Sequence, residues 1–302
     1  MASRNRPPSG RGPGAGRGGR AAAGRRSGPP PSRGAGRTGK ARPAGAPAPR
    51  RQGKGLGGEQ VEGRQAVREL LLAQRRRVHE VWVSSELQGT DAVDDIVAIA
   101  TANRVPIAYV ARKKLEAEAR SEAPQGVLAK AAPLPEAELG PMLRTTPTHA
   151  PFLVAVDGVT DPGNLGAIVR CCDGAGVDGL VLPRHRAVHV TPTVAKASAG
   201  AVEHLPIAVV AGLPSTLQTM RDARIWVVGL DDAADRSLFD LGDLAADPIC
   251  VVLGAEGAGL SRLVRERCDM IVSIPMRGRL SSLKVATAAA LATYEVARRR
   301  AA

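Results

Sequence analysis

Residues 249–264, ICVVLGAEGAGLSRLV, run from an apolar stretch through Gly254, Gly257 and Gly259 into the start of a helix. Small residues at such a turn let backbone N–H groups approach an anion at a helix N-terminus, which is how phosphates are cradled. Glu256 sits in the middle of this turn, and its carboxylate would repel a phosphate. The turn is not GxGxxG, it follows a late strand, and it lacks the GK[ST] ending of a nucleoside-triphosphate loop. Alone it reads equally well as a plain tight turn. Its company argues for a site: IPMRG at 274–278 and SSLKV at 281–285 are further loops at strand ends. Ligands of open parallel α/β sheets bind at those ends.

The elements that must hold these loops follow from periodicity. Phe152 to Val156 is a continuous apolar run, as a buried parallel strand requires. Further strands are expected at GLVLP (179–183), IAVV (207–210), IWVVGL (225–230), ICVVLG (249–254) and MIVSIP (270–275). Strands alternating with helices predict a parallel sheet covered on both faces. Asn164 is placed to cap the helix LGAIVRCCDGAG, and SSLKVATAAALATYEVARRR predicts a closely packing terminal helix. Upstream, EQVEGRQAVRELLLAQ has Val67, Leu70, Leu71 and Gln74 at helical spacing. VHEVWVS, VPIAYV and QGVLAKAA read as strands, with helices at TDAVDDIVAIATANR, capped by Thr90 or Asp91, and RKKLEAEAR. The chain thus divides into a tail (1–56), a small α/β domain (57–140) and a larger α/β domain (141–302), with a Pro/Thr-rich linker at about 133–150.

The net charge of +13 is unevenly spread: residues 1–55 hold 14 Arg or Lys and no acid, leaving 28 basic against 29 acidic residues elsewhere. With no aromatic residue the tail cannot offset its ordering entropy, and disorder is expected. Such a tail suits a non-specific tether to RNA or DNA phosphates; the plainer alternative is a solubilising extension. Cys171, Cys172, Cys250 and Cys268 lack the spacing of a zinc site and read as free thiols. No stretch approaches the roughly 20 apolar residues of a membrane span, so a cytoplasmic protein with no membrane partner is expected.

Three segments carry a resemblance. DGVTDPGNLGAIVRCCDGAG, VVLGAEGAGLS and IPMRGRLSSLKVATAAALATYE resemble, in order and spacing, motifs 1, 2 and 3 of the SpoU branch of the SPOUT RNA ribose 2'-O-methyltransferases. TPTVAKASAGAVEHLPI fits the segment between motifs 1 and 2. VEGRQAVRELL resembles the start of the RNA-binding domain that precedes the catalytic one in members acting on large-subunit rRNA.

The resemblance implies a trefoil-knotted C-terminal SPOUT domain with a parallel sheet, an exception to the rule against knots. It also implies a homodimer, S-adenosyl-L-methionine as cofactor, and RNA as substrate, 23S rRNA above all. It would place Gly254, Ile274 and Leu283 against the cofactor, with Met276 and Gly257 beside them. Glycines would then admit the adenosine, and Glu256 suits a positive sulfonium. Arg170 matches the family's essential catalytic arginine. Guanidinium groups hardly deprotonate in proteins, so its reading here is a clamp on phosphate and hydroxyl that stabilises developing alkoxide charge. A buried setting among Ile168, Val169, Cys171 and Cys172 is expected for it. Asn164 and Glu256 would position Arg170 or the ribose, and Ser282 would hydrogen-bond within the site. His185, His189 and His204 fall outside the motifs and read as surface or RNA-facing residues. The chain departs from the family at Lys284, where motif 3 usually has Asn, and at Ala286 in place of Ser. Lys284 would pair with Glu256, grip an RNA phosphate, or repel the sulfonium. A non-catalytic RNA-binding or assembly protein and a tRNA methyltransferase are the competing functions.

Overall fold

The computed structural model describes residues 55–185 and 188–301. The basic tail, with its expected disorder, lies outside the described residues.

The first sheet is built from β1 (Gln60–Glu62), β2 (Val78–Ser84), β3 (Ile107–Val110) and β4 (Val127–Ala131). Its order is β1-β4-β2-β3; the β2/β3 pair is parallel and the other pairs are antiparallel. Helices α1 (Arg64–Ala73) and α2 (Asp91–Ala102) bury Val67, Leu70, Leu71, Val93 and Ile96 on one face. Helix α3 (Arg112–Glu118) covers the other through Leu115, packed with Val110 and Leu128. One element differs from the sequence reading. Residues 60–62 form a strand ahead of the helix, and Gly63 (φ 92°) separates the two.

The second sheet is parallel throughout, in the order β10-β8-β9-β5-β6-β7. Its strands are β5 (Phe152–Val156), β6 (Gly179–Pro183), β7 (Ile207–Val210), β8 (Trp226–Leu230), β9 (Ile249–Leu253) and β10 (Met270–Val272). Alternation along the central strands divides the core in two. Phe152, Val154 and Val156, with Ile249, Val251 and Leu253, face one cluster; Leu153 and Ala155, with Cys250 and Val252, face the other. The second cluster is closed by α7 (Leu213–Asp222) through Leu213, Leu217 and Met220, and by the short α8 (Arg262–Arg265) through Val264. The first is closed by α5 (Pro162–Gly174), α6 (Pro192–Ala197) and α9 (Val285–Arg300). The connecting turn α4 (Leu139–Met142) lies in the expected linker.

Asn164 does not cap α5. Asp161 does, its side chain accepting from the Asn164 backbone N–H at 2.7 Å, with Pro162 in the first turn. Proline has no N–H to waste there and its fixed φ suits a helix start, so the helix begins two residues before Asn164.

The first cluster runs on into the first sheet, and polar contacts reinforce the junction. Arg76 forks onto Glu203, in a 3-10 turn after α6, at 2.5 and 3.0 Å. Its Nη1 donates to the carbonyls of Gly58 and Ala132, each at 2.7 Å. The Arg76 and Glu203 side chains are 2% and 1% exposed, so the ion pair is out of water. Arg75 reaches the Glu203 carbonyl, and His204 lies 2.9 Å from Glu69.

At the far end, Arg300 ties α9 to the amino ends of the strands. It donates to the carbonyls of Ala150, Pro151, Ala245 and Asp247, and its guanidinium lies 5.1 Å from the Phe152 ring centroid. Arg300→Met keeps apolar cover over Phe152 and loses every one of those hydrogen bonds. It should destabilise the fold by about 1–3 kcal/mol, because the released carbonyls regain only partial hydration. Urea denaturation checks this; an unchanged midpoint would contradict it.

Candidate active site

Strands β8 and β9 and the segment after β10 end on the same side of the parallel sheet, and the loops leaving them enclose a cavity of about 500 Å³. Small-molecule sites span about 300–1,000 Å³. Three walls can be distinguished: Leu253 to Gly259 after β9, Ile274, Met276 and Ser281 to Val285 ahead of and into α9, and Leu230 to Asp232 after β8.

The glycine turn is a closed hairpin. Ala255 and Gly259 exchange backbone hydrogen bonds at 3.0 and 2.9 Å, leaving Glu256, Gly257 and Ala258 as its tip. Gly257 (φ 73°) takes the left-handed conformation that glycine adopts without strain. Gly254 is small for another reason. A Cβ there would lie 2.3 Å from the carbonyl carbon of Gly259 and 2.5 Å from its oxygen. The hairpin folds back onto β9 because nothing projects at 254.

The other loops are tied to this hairpin. Asp157, at the end of β5, accepts the Ser261 N–H at 2.7 Å, which holds the loop leading into α5 beside it. Asp231 accepts from Arg265 at 2.5 Å and from the Ala233 N–H at 3.0 Å, fixing the β8 loop to α8.

Every residue expected beside a cofactor lines the cavity: Gly254, Gly257, Ile274, Met276 and Leu283. Glu256 and Ser282 line it too, both exposed at its mouth. Asn164 and Arg170 are not in the lining of this single chain. The expectation of a buried Arg170 is corrected: Ile168, Val169 and Cys172 are buried, but Arg170 itself is exposed and has no ion-pair partner among the described residues. Of the three readings of Lys284, the pair with Glu256 does not form. Lys284 stands at the N-cap of α9 with its side chain exposed and bonded to no described residue.

Asp231 and Asp232 were missed by sequence reasoning. Their position after an apolar strand, at the carboxyl end where a parallel sheet binds ligands, was visible in the sequence, but not that β8 stands beside β9. His185, His189 and His204 are exposed, and none reaches the cavity. The thiols have no part in it. Cys172 and Cys250 are pushed well above the usual thiol range by burial, and Cys268 is pushed up to about 12 by the same cause. Among the described residues no cluster of His, Cys, Asp and Glu could hold a metal ion, and no helix is long and apolar enough to cross a membrane.

The donor set fits a ligand with positive charge and an apolar body. The lining has three carboxylates, Asp231 (already paired with Arg265), Asp232 and Glu256, against one cation, Lys284, and Leu230, Leu253, Ile274 and Leu283 supply apolar contact. A sulfonium nucleoside has both properties. Two family models cover the chain. The SpoU rRNA Methylase family matches residues 151–294, and the RNA 2'-O ribose methyltransferase substrate binding domain matches residues 60–137. The chain is 36% identical to the 23S rRNA (guanosine-2'-O-)-methyltransferase RlmB of Pseudomonas putida, over 80% of this chain and 97% of that one. It is 39% identical to RlmB of Shewanella oneidensis, with the same shares covered. The crystal structure of the SpoU methyltransferase AviRb from Streptomyces viridochromogenes, in complex with AdoMet, superimposes with a TM-score of 0.67 at 29% identity, over 80% of this chain and 90% of that one. With the SpoU match spanning the domain that holds the cavity, and relatives of 36–39% identity matched over 97% of their length, the chain belongs to the SpoU rRNA methylase family.

Proposed function

We propose that this protein transfers a methyl group from S-adenosyl-L-methionine to a ribose 2'-hydroxyl of 23S rRNA, at a guanosine, in the cytoplasm. The observation that carries the reading is the joint cavity: the 254–259 hairpin and the 281–285 loop, far apart in sequence, wall one space. The relatives named for this reaction match nearly their whole length. Residues 57–140 serve as the RNA substrate-binding domain and 141–302 as the methyltransferase domain, with the segment through the second and third motifs threaded as a trefoil knot. The basic tail adds sequence-independent affinity for RNA phosphates.

S-adenosyl-L-methionine supplies an electrophilic methyl on a positive sulfonium. Gly254, Gly257, Ile274, Met276 and Leu283 hold it, and Glu256 offers its carboxylate to the positive centre. A ribose hydroxyl is a weak nucleophile until negative charge on its oxygen is stabilised; as that oxygen takes the methyl, the S–C bond breaks, the sulfonium leaves as a neutral thioether, and the hydroxyl proton passes to solvent water. Arg170 provides that stabilisation with five fixed donors while gripping the neighbouring phosphate. Asn164 and Ser282 orient the ribose and the loops around it.

Arg170 belongs to the cavity of a second copy, which makes the working unit a homodimer. Three features support this. Arg170 is exposed one helical turn before Gly174, where a Cβ would meet the Tyr294 hydroxyl. Tyr294 and Leu291 are 53% and 38% exposed on α9, an apolar surface beside Arg170. The cavity of one chain lacks any arginine in its lining.

Titration calorimetry with the full chain should show stoichiometric binding of S-adenosyl-L-methionine, and ribose-methylation mapping of 23S rRNA should lose one guanosine signal when the gene is deleted. Absence of binding heat at millimolar ligand would leave a non-catalytic RNA-binding protein as the function.

A further inference from the structure

The mouth of the cavity is electrically divided. Asp231, Asp232 and Glu256 stand on the β8 and β9 side. Another segment of the lining, Met276 and Ser281 to Lys284, is bridged by residues 277–280. The stretch 277–284 (RGRLSSLK) has Arg277, Arg279 and Lys284 and no acidic residue. Lys284 lines the cavity, and the two arginines stand in the loop between lining residues. All three are exposed, and none of their side chains makes a hydrogen bond or ion pair with a described residue. Arg265, by contrast, is engaged with Asp231 on the other side. Lys284 also stands at the N-cap of the 16-residue α9, where the helix dipole already favours an anion and disfavours a cation left alone.

Three exposed cations in and beside one wall of a cavity give that wall a local excess of positive charge suited to something negative. The cofactor is a poor candidate, because its sulfonium and ammonium outweigh its one carboxylate and the acidic wall already suits them. RNA brings a phosphate on either side of the ribose that has to reach the cavity. We propose that Arg277, Arg279 and Lys284 form a phosphate track on the lip of the cavity, which grips the RNA backbone flanking the target nucleotide. This rests on the methyltransferase reading above and adds where the backbone runs. The track positions the strand without reading its sequence.

The test is the salt dependence of binding to a short, end-labelled single-stranded RNA, measured with the full chain by fluorescence anisotropy. Each phosphate contact on a single strand contributes about 0.7 to the slope of log K against log salt. The Arg277→Gln/Arg279→Gln double variant should flatten the slope by about 1.4 and leave the calorimetric affinity for S-adenosyl-L-methionine unchanged. Adding Lys284→Asn should flatten it by about 0.7 more, and Lys284→Arg should restore it. Arg224→Gln, an exposed arginine at the opposite end of the sheet, serves as the control for charge alone and should leave the slope as it was. An unchanged slope in the double variant, or an equal change in the control, overturns the track. So does a loss of cofactor affinity in Lys284→Asn without a change in slope, which would assign the lysine to the cofactor's carboxylate. Melting temperatures of all variants should match the parent; a folding defect in the double variant moves the test to the two single arginine variants. Failure of the parent chain to bind cofactor would instead sink the methyltransferase reading, and this proposal with it.

Discussion

Replacing Arg170 with alanine should leave S-adenosyl-L-methionine binding intact and slow methyl transfer by about 10²–10³-fold, the usual cost of one transition-state donor. The separation of the two effects follows from geometry. The cofactor cavity of one chain is lined by residues from 230 to 288, and Arg170 is not among them. Its guanidinium is exposed, with no ion pair to hold it among the described residues, so its removal disturbs no packing. Arg170→Lys should recover little, since an ammonium presents a point charge and not a planar fork able to span hydroxyl and phosphate. Single-turnover transfer of a labelled methyl group, beside calorimetry of the same preparations, would measure both. Unchanged turnover in the alanine variant would remove Arg170 from the chemistry.

The second large effect is expected at Gly254. An alanine Cβ would lie 2.3 Å from a backbone carbon and 2.6 Å from the Leu260 nitrogen. These are main-chain atoms, which cannot rotate aside as the end of a side chain can. The hairpin must open, losing the exchanged bonds between Ala255 and Gly259, at about 1 kcal/mol each, in addition to overpacking of about 1–3 kcal/mol. A perturbation of about 3–5 kcal/mol in the cofactor wall should lower the affinity for S-adenosyl-L-methionine at least ~100-fold. Gly278→Ala is the matched control. It lies on the neighbouring loop, no atom stands within 4 Å of where its Cβ would be, and it should bind as the parent does. Equal affinities for Gly254→Ala and the parent would show that the hairpin does not shape the cofactor site.

The cavity was legible because glycine turns and short loops at strand ends leave strong local marks, and those marks recur in fixed order. Two kinds of information were not local. Arg170 was expected to be buried from its neighbours in sequence, yet successive helical residues point about 100° apart, so Val169 and Cys171 say nothing of the face on which Arg170 stands. Asp231 and Asp232 belong to the cavity only because β8 lies next to β9 in the sheet, an adjacency set by strand order. The helix start at Pro162 was within reach: a proline two residues before Asn164 marks a first turn, and the aspartate ahead of it is a good cap. The strand at 60–62 was not, since three residues are too few to show a period of two.

The forked Arg76–Glu203 contact bears on how the molecule comes apart. Both partners are almost wholly dry, and each belongs to a different sheet's surroundings. Lifting one sheet away would strip both charges of their counter-ion before water could fully reach them, at a cost of about 3–5 kcal/mol. Partial opening is therefore the expensive event, and the apolar cluster that runs through the same junction adds to that expense. Melting should therefore be all-or-none, the two sheets losing their structure together despite a connecting stretch that looks like a hinge in the sequence; two separate calorimetric transitions would contradict this.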